Sequence, residues 1–238
     1  MIRFRGTRLK LRILVSKLTR QPRDVLLRHE FNLWAENDAG AAMESVHRRI
    51  TEEAVRRMTL GPKDRVLELG CGDGWAARMM ADRMGQESSV VGLDVSDGMV
   101  RRAREKSAHR INLRFVCASA ERIPYADTYF TKILSVEAFY YFENQEAVLR
   151  ELLRVLAPGG QLFLLICLYK DHPDSLLTVN EVNVPVHVRS AAEYVDMLQR
   201  GGWATVQTEE FRRGDKPGRR PDVHDRALFV TAQKPGLG

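Results

Sequence analysis

Val66-Leu67-Glu68-Leu69-Gly70-Cys71-Gly72-Asp73-Gly74 is the stretch on which the reading of this 238-residue chain turns. Val66, Leu67 and Leu69 fit a short buried parallel strand, and the glycines end it abruptly. From Trp75 to Ala81 the chain offers good helix formers, with no breaker before Gly85. A strand, a glycine turn and a helix in succession let a ligand approach the backbone closely and lie near a helix N-terminus.

Moving outward, Ser89-Val90-Val91-Gly92-Leu93-Asp94 reads as a second strand whose acidic end stands 20 positions after Gly74. A carboxylate there offers only acceptors, which suits the two hydroxyl donors of a ribose. Ser96 is a helix cap next door, and Met99 is placed either to pack on an adenine ring or to join the core. A dinucleotide fingerprint is a poor fit, because its third glycine position holds Trp75, whose ring obstructs close helix–strand packing.

Leu113-Arg114-Phe115-Val116-Cys117 is a third strand, followed by the loop Ala118-Ser119-Ala120-Glu121-Arg122-Ile123-Pro124-Tyr125. A fourth strand precedes Ser135-Val136-Glu137-Ala138-Phe139-Tyr140-Tyr141-Phe142. An amphipathic helix over 146–156 ends at Ala157-Pro158-Gly159-Gly160, and a strand over 161–168 follows. Ser190-Ala191-Ala192-Glu193 is a capping box that opens the last helix, and residues 203–211 and 227–232 read as two closing strands. Upstream, residues 24–60 read as helices around a turn at Asn37-Asp38-Ala39-Gly40. There Glu44 and His47, at i, i+3 spacing, are expected on one helix face.

Charge is unevenly spread. Residues 1–23 hold eight basic residues and no acidic one, so the remainder carries 29 basic against 31 acidic. The body therefore lacks a general nucleic-acid signature. The arm interleaves its cations with apolar residues, which leaves open a helix on an anionic membrane surface, a targeting segment or a solvated arm. Three isolated cysteines without C-x-x-C spacing argue against a disulfide framework and a zinc site, and point to a reducing cytosol. No cluster shows metal-ligand spacing, so the expectation is no metal. Apolar runs fall short of the roughly 20 residues needed to span a membrane.

The E-x-G-x-G-x-G run at 68–74, the acid at Asp94 and Leu156-Ala157-Pro158-Gly159-Gly160 together resemble the class I S-adenosylmethionine-dependent methyltransferases. The pattern is similar to the small-molecule set that includes ubiquinone/menaquinone C-methyltransferases. That resemblance implies a Rossmann-like, seven-stranded, mostly parallel α/β sheet with the last strand antiparallel and helices on both faces. It also implies a domain over 24–238 with a helical cap at 24–62 and an acceptor-pocket insertion at 169–189. S-Adenosylmethionine is the implied cofactor, leaving as S-adenosylhomocysteine. Its implied contacts are Glu68, Gly70 and Gly72 for methionine and ribose, Asp94 for the ribose, and Ser119 and Ala120 for the adenine, with Cys71, Val95, Met99 and Glu121 completing the cofactor-binding set. Ser135 and Glu137 border the methionine and acceptor. Ser119 departs from the family's usual Asp, Thr131 replaces another Asp, and Tyr140 and Tyr141 stand where histidines are common.

The implied activity is in-line methyl transfer to a small, hydrophobic or aromatic acceptor, with Tyr140, Glu137 and His47 as the leading catalytic candidates. Tyr141, His172 and His187 are further candidates. The alternatives that stay open are a catalytically inactive cofactor-binding regulator and an RNA methyltransferase using the basic arm and the 212–220 loop. The methylated atom and the oligomeric state are not fixed by these patterns.

Overall fold

The computed structural model of the chain describes residues 23–176, 184–212 and 225–236. Within them β1 (Arg65–Leu69), β2 (Ser89–Asp94), β3 (Leu113–Cys117), β4 (Phe130–Val136), β5 (Leu156–Ile166), β6 (Ala204–Arg212) and β7 (Arg226–Gln233) form one sheet. Its order is β3-β2-β1-β4-β5-β7-β6. The first five strands are mutually parallel, and β7 enters antiparallel between β5 and β6. The sequence-based expectation of seven strands with the last one antiparallel is met. After β3 the chain returns to the other side of β1, so strand order reverses between β1 and β4. Open α/β sheets bind their ligands at such a reversal, outside the carboxyl ends of the strands.

Two-residue alternation divides the strands between two cores. Leu67, Leu69, Val91, Leu93 and Ile133 face one side, where α5 (Gln145–Val155) and α7 (Ala191–Arg200) pack. Val66, Val90, Leu134 and Leu165 face the other, against α2 (Ala39–Arg57), α3 (Trp75–Ala81) and α4 (Asp97–Glu105). α5 buries Val148, Leu149, Leu152 and Val155 along one stripe. Each such side chain contributes about 1.5–3 kcal/mol relative to exposure. Ser190 and Glu193 form the expected capping box, each accepting a backbone N–H from the other residue.

α1 (Arg23–Glu36) precedes α2 and lies against α4. Its Asn32 side chain is a three-way clamp. Oδ1 accepts from Ser96 Oγ and from the Gly98 N–H, while Nδ2 donates to Asp97 Oδ1 at 3.0 Å. Arg28 adds a bond from Nε to the Val95 carbonyl at 3.1 Å. The helical cap is thereby tied to the end of β2, which is where a ligand site belongs.

Three sequence expectations need adjustment. The turn between the first helices is only Asn37 and Asp38, because Ala39 and Gly40 already belong to α2. The Ala157-Pro158-Gly159-Gly160 turn is absorbed into β5 as a bulge: Phe130 pairs with Leu156, and Lys132 with Gln161. Gly159, at φ 74°, turns the excess chain outward, and its carbonyl accepts from Gln233 Nε2 at 2.9 Å. Thr131 lies at the amino end of β4, where its hydroxyl donates to Asp64 Oδ1 at 2.6 Å, so that departure from the family pattern has no bearing on the ligand end of the sheet. The basic arm, apart from Arg23, lies outside the described residues, as do 177–183 of the insertion and 213–224 of the polar loop. Among the described residues, no helix is long and apolar enough to cross a membrane.

Candidate active site

A cavity of about 450 Å³ opens over the carboxyl ends of β1, β2 and β4, covered by α1 and α2. Its size is that of a small-molecule site. Glu68, Gly70, Cys71, Gly72, Asp94, Val95, Met99, Ser119, Ala120 and Glu121 all line it, so the fold gathers the expected cofactor set into one place.

The glycine turn is required by space as well as by torsion. Gly70 has φ 71°, and a Cβ added there meets the Ala138 Cβ at 2.3 Å. At Gly74, φ 81°, a Cβ meets the Phe115 ring at 2.5 Å. Side chains at either position would be both strained and overlapped.

Asp94 holds the turn and faces the cavity. Oδ2 accepts from the Gly72 N–H and Oδ1 from the Ser96 N–H, each at 2.9 Å. A carboxylate has about four acceptor sites, so these two bonds leave capacity for a ribose. Burial pushes the Asp94 carboxyl up, opposed by those backbone N–H groups. Burial pushes Glu68 well up, with the Ala77 N–H and Arg78 opposing. Ser119 Oγ accepts from the Glu121 N–H at 3.3 Å, which shapes the loop against the cavity.

Ser135 is a correction. It does not line the cavity; it is buried in β4, and its hydroxyl donates to the Leu69 carbonyl at 3.1 Å, pinning β4 to β1 beneath the floor. Glu44 Oε1 accepts from Arg48 Nη1 one turn on. His47 instead turns inward and is 3% exposed.

The far end of the cavity joins residues distant in sequence. His47 comes from α2, Glu137 from the turn after β4 and Cys167 from the residue after β5. Tyr140 comes from the 3₁₀ turn Phe139–Tyr141. Nδ1 of His47 lies 3.1 Å from the Met43 carbonyl. A carbonyl only accepts, so Nδ1 carries the hydrogen toward Met43 and Nε2 faces the other way. Nε2 is aimed at Glu137 Oε2, 3.7 Å away. Oε2 also accepts from the Tyr140 hydroxyl at 3.1 Å, and Oε1 accepts from the Cys167 N–H. Glu137 holds a left-handed backbone (φ 52°), with its N–H given to the Leu165 carbonyl at 2.9 Å. That conformation costs a non-glycine residue about 1–3 kcal/mol and is concentrated at functional sites.

The three leading catalytic candidates from the sequence, Tyr140, Glu137 and His47, thus meet. Cys167 was not among them, since no local motif marks a cysteine at the end of an apolar strand. His172 is set aside: it is buried rather than exposed to water, and its Nδ1 accepts the Ser175 N–H at 2.9 Å, capping α6 (Pro173–Leu176). His187 is outside the cavity wall; burial with Arg23 and Arg189 nearby pushes its imidazole pKa down.

Two further properties bear on the ligand. Seven lining residues are carboxylic (Asp24, Glu68, Asp73, Asp94, Glu121, Glu137 and Glu143), and no lysine or arginine lines the cavity among the described residues. Phe31 makes edge contacts with Trp34 (5.5 Å) and Tyr141 (5.2 Å), building an aromatic wall beside the Glu137 end.

Residues 67–164 match a family described as methyltransferase domain. The 27-O-demethylrifamycin SV methyltransferase of Amycolatopsis mediterranei is 30% identical over 191 residues, 76% of this chain and 65% of that protein. The ubiquinone/menaquinone biosynthesis C-methyltransferase UbiE of Stenotrophomonas maltophilia is 34% identical over 119 residues, covering 49% of this chain and 47% of that protein. This chain thus spans from 47% to 65% of the length of these two relatives. Among solved structures, the chain complexed with the Haloferax volcanii Trm112 methyltransferase activator superposes with TM-score 0.78 at 26% identity, covering 87% of this chain and 98% of that one. The [4+2]-cyclase SpnF shares the fold, with TM-score 0.63 at 20% identity over 79% of this chain and 82% of that one.

Proposed function

Because this chain belongs to the class I S-adenosylmethionine-dependent methyltransferases, we propose that its cavity binds S-adenosylmethionine along the glycine turn and methylates a small, apolar or aromatic acceptor at the Glu137 end. The observation that carries the reading is the acidic lining. Seven carboxylic residues, of which burial holds Glu68 toward its neutral form and Lys106 pairs with Asp73, and no lysine or arginine suit a ligand with a sulfonium and an ammonium group. The same lining repels the diphosphate of a nicotinamide dinucleotide.

The residues fit the cofactor in detail. Asp94 retains acceptor capacity for the ribose hydroxyls, Ser119 and Ala120 border the adenine position, and the glycines leave the backbone bare where the methionine portion passes. When bound, S-adenosylmethionine supplies a methyl group on an already charged leaving sulfur. The protein's task is then mainly alignment of nucleophile, carbon and sulfur. The aromatic wall of Phe31, Trp34 and Tyr141 holds the acceptor. Glu137, flanked by His47 and Tyr140, polarises the acceptor's X–H bond and manages its proton. That the cyclase SpnF has this fold shows that the fold alone does not assign the chemistry.

Calorimetric titration with S-adenosylhomocysteine, with NADH as the control ligand, tests the reading. Saturable, micromolar S-adenosylhomocysteine binding without an NADH response is the expected result. NADH binding, or a folded protein that binds neither, overturns it.

A further inference from the structure

The Glu137 end of the cavity gathers an imidazole, a carboxylate and a thiol. One ligand atom each from His47, Glu137 and Cys167 lies within 4.8 Å of the other two, the only such cluster of three among the described residues. We propose that His47 Nε2, a Glu137 carboxylate oxygen and Cys167 Sγ bind one divalent cation, Zn²⁺ by ligand type, with a fourth position open to the acceptor. The proposal rests on the acceptor lying at this end of the cavity, and it specifies what receives that acceptor.

Four observations support it. First, the ligand set is a mixed nitrogen, oxygen and sulfur donor set, which suits zinc and is alien to magnesium or calcium. Second, one pair of ligand atoms already has the spacing zinc needs, and the cluster as a whole lies within 4.8 Å. Tetrahedral bonds of about 2.0–2.3 Å set neighbouring ligand atoms roughly 3.3–3.8 Å apart, and His47 Nε2 and Glu137 Oε2 stand 3.7 Å apart. Third, the supporting contacts are those of a ligating histidine and carboxylate. The Met43 carbonyl fixes the imidazole tautomer so that Nε2 points inward, and Tyr140 and the Cys167 N–H hold the carboxylate. Fourth, all three ligands line the cavity, so the site is not closed over as a structural zinc site would be.

The step this allows is balanced. An acceptor alcohol, phenol or thiol, X–H, takes the open position and passes its proton, by way of the Glu137 carboxylate oxygen that does not hold the metal, to solvent, leaving X⁻ on the metal. A lone pair on X forms the new bond to the methyl carbon as the carbon–sulfur bond of S-adenosylmethionine breaks. The electron pair of that bond stays on sulfur and cancels its positive charge. The substrate class is therefore a metal-binding oxygen or sulfur nucleophile.

The test is metal uptake by the intact chain. Chelator-stripped protein is dialysed against Zn²⁺ and assayed by elemental analysis, then loaded with Co²⁺ for absorption spectroscopy. Wild type and Cys117→Ser, an exposed thiol away from the cluster, are expected to retain zinc equally. Cys167→Ser and His47→Ala should weaken retention roughly tenfold or more, and the thiolate-to-cobalt charge-transfer band should vanish in Cys167→Ser. Zinc uptake by wild type no greater than by Cys167→Ser, or a cobalt spectrum indifferent to Cys167, overturns the proposal and leaves a plain His–Glu pair. Titrating S-adenosylhomocysteine into the same samples separates the readings. Cofactor-product binding without stoichiometric zinc sinks only the metal centre. Zinc binding without it sinks only the methyltransferase assignment.

Discussion

The two ends of the cavity are built differently. The glycine-turn end is assembled from residues 68–121, where each strand delivers its own turn into the site and the groups arrive in chain order. The Glu137 end is assembled from α2, the turn after β4 and the end of β5, brought together only when the sheet closes. At the first end the backbone does the work, through glycines with positive φ and N–H groups shared with Asp94. At the second, side chains do it, around a carboxylate held in a costly backbone conformation. A binding surface common to many proteins can be made locally. A surface particular to one acceptor is made by convergence.

Substitutions should separate the ends cleanly. The largest effect is expected from Glu137→Gln, which should lower turnover roughly 10²–10⁴-fold while leaving S-adenosylhomocysteine affinity nearly unchanged; a matching loss of affinity would break the division. Next comes Gly70→Ala, where strain and overlap with Ala138 should cost about 3 kcal/mol, read as a lowered urea midpoint. An unchanged midpoint would mean that Ala138 yields without cost. Asp94→Ala should weaken S-adenosylhomocysteine by about thirtyfold, or about 2 kcal/mol. A cofactor effect confined to turnover would place Asp94 at the wrong end. Tyr140→Phe, which removes one hydroxyl from Glu137, should slow turnover about fivefold, or about 1 kcal/mol, and stability should move less than with Gly70→Ala.

Smallest at acid pH, and growing with pH, is the expected effect of Glu68→Gln. Burial raises the Glu68 carboxyl, so the folded state binds that proton more tightly than the unfolded chain does. The resulting stability is fully present below the unfolded value of about 4.3 and is lost as pH rises through the raised folded value. Glu68→Gln cannot titrate. It should flatten the decline in urea midpoint above about pH 4.5 and leave the ligand-free variant more stable than wild type in mild alkali. Parallel pH curves for the two proteins would refute this.

This asymmetry also explains what could be read in advance. Val66 to Gly74 announces strand, turn and helix because apolar period, positive-φ glycines and helix formers follow one another within nine residues. Asp94 was legible for the same reason, standing at a strand end at a fixed distance from the turn. Cys167 was not, since an apolar strand that ends in cysteine looks like any other core strand. The absence of metal-ligand spacing along the chain said nothing about His47, Glu137 and Cys167, which are 90 and 30 positions apart and meet only in three dimensions. The i, i+3 spacing of Glu44 and His47 could not tell that Glu44 would pair with Arg48 while His47 turned into the cavity. Ser135 misled because alternation along β4 sends its hydroxyl to the Leu69 carbonyl, under the floor.

Asn32 has a thermodynamic meaning beyond its three hydrogen bonds. Its helix carries Phe31 and Trp34 on the acceptor side, while its amide grips the segment that follows Asp94 on the other. On the proposed reading, one helix covers both occupants. Whatever steadies the helix by filling one compartment makes filling the other easier by the same free energy. On the proposed reading, the Asn32 clamp therefore couples the two binding events to each other in equal measure.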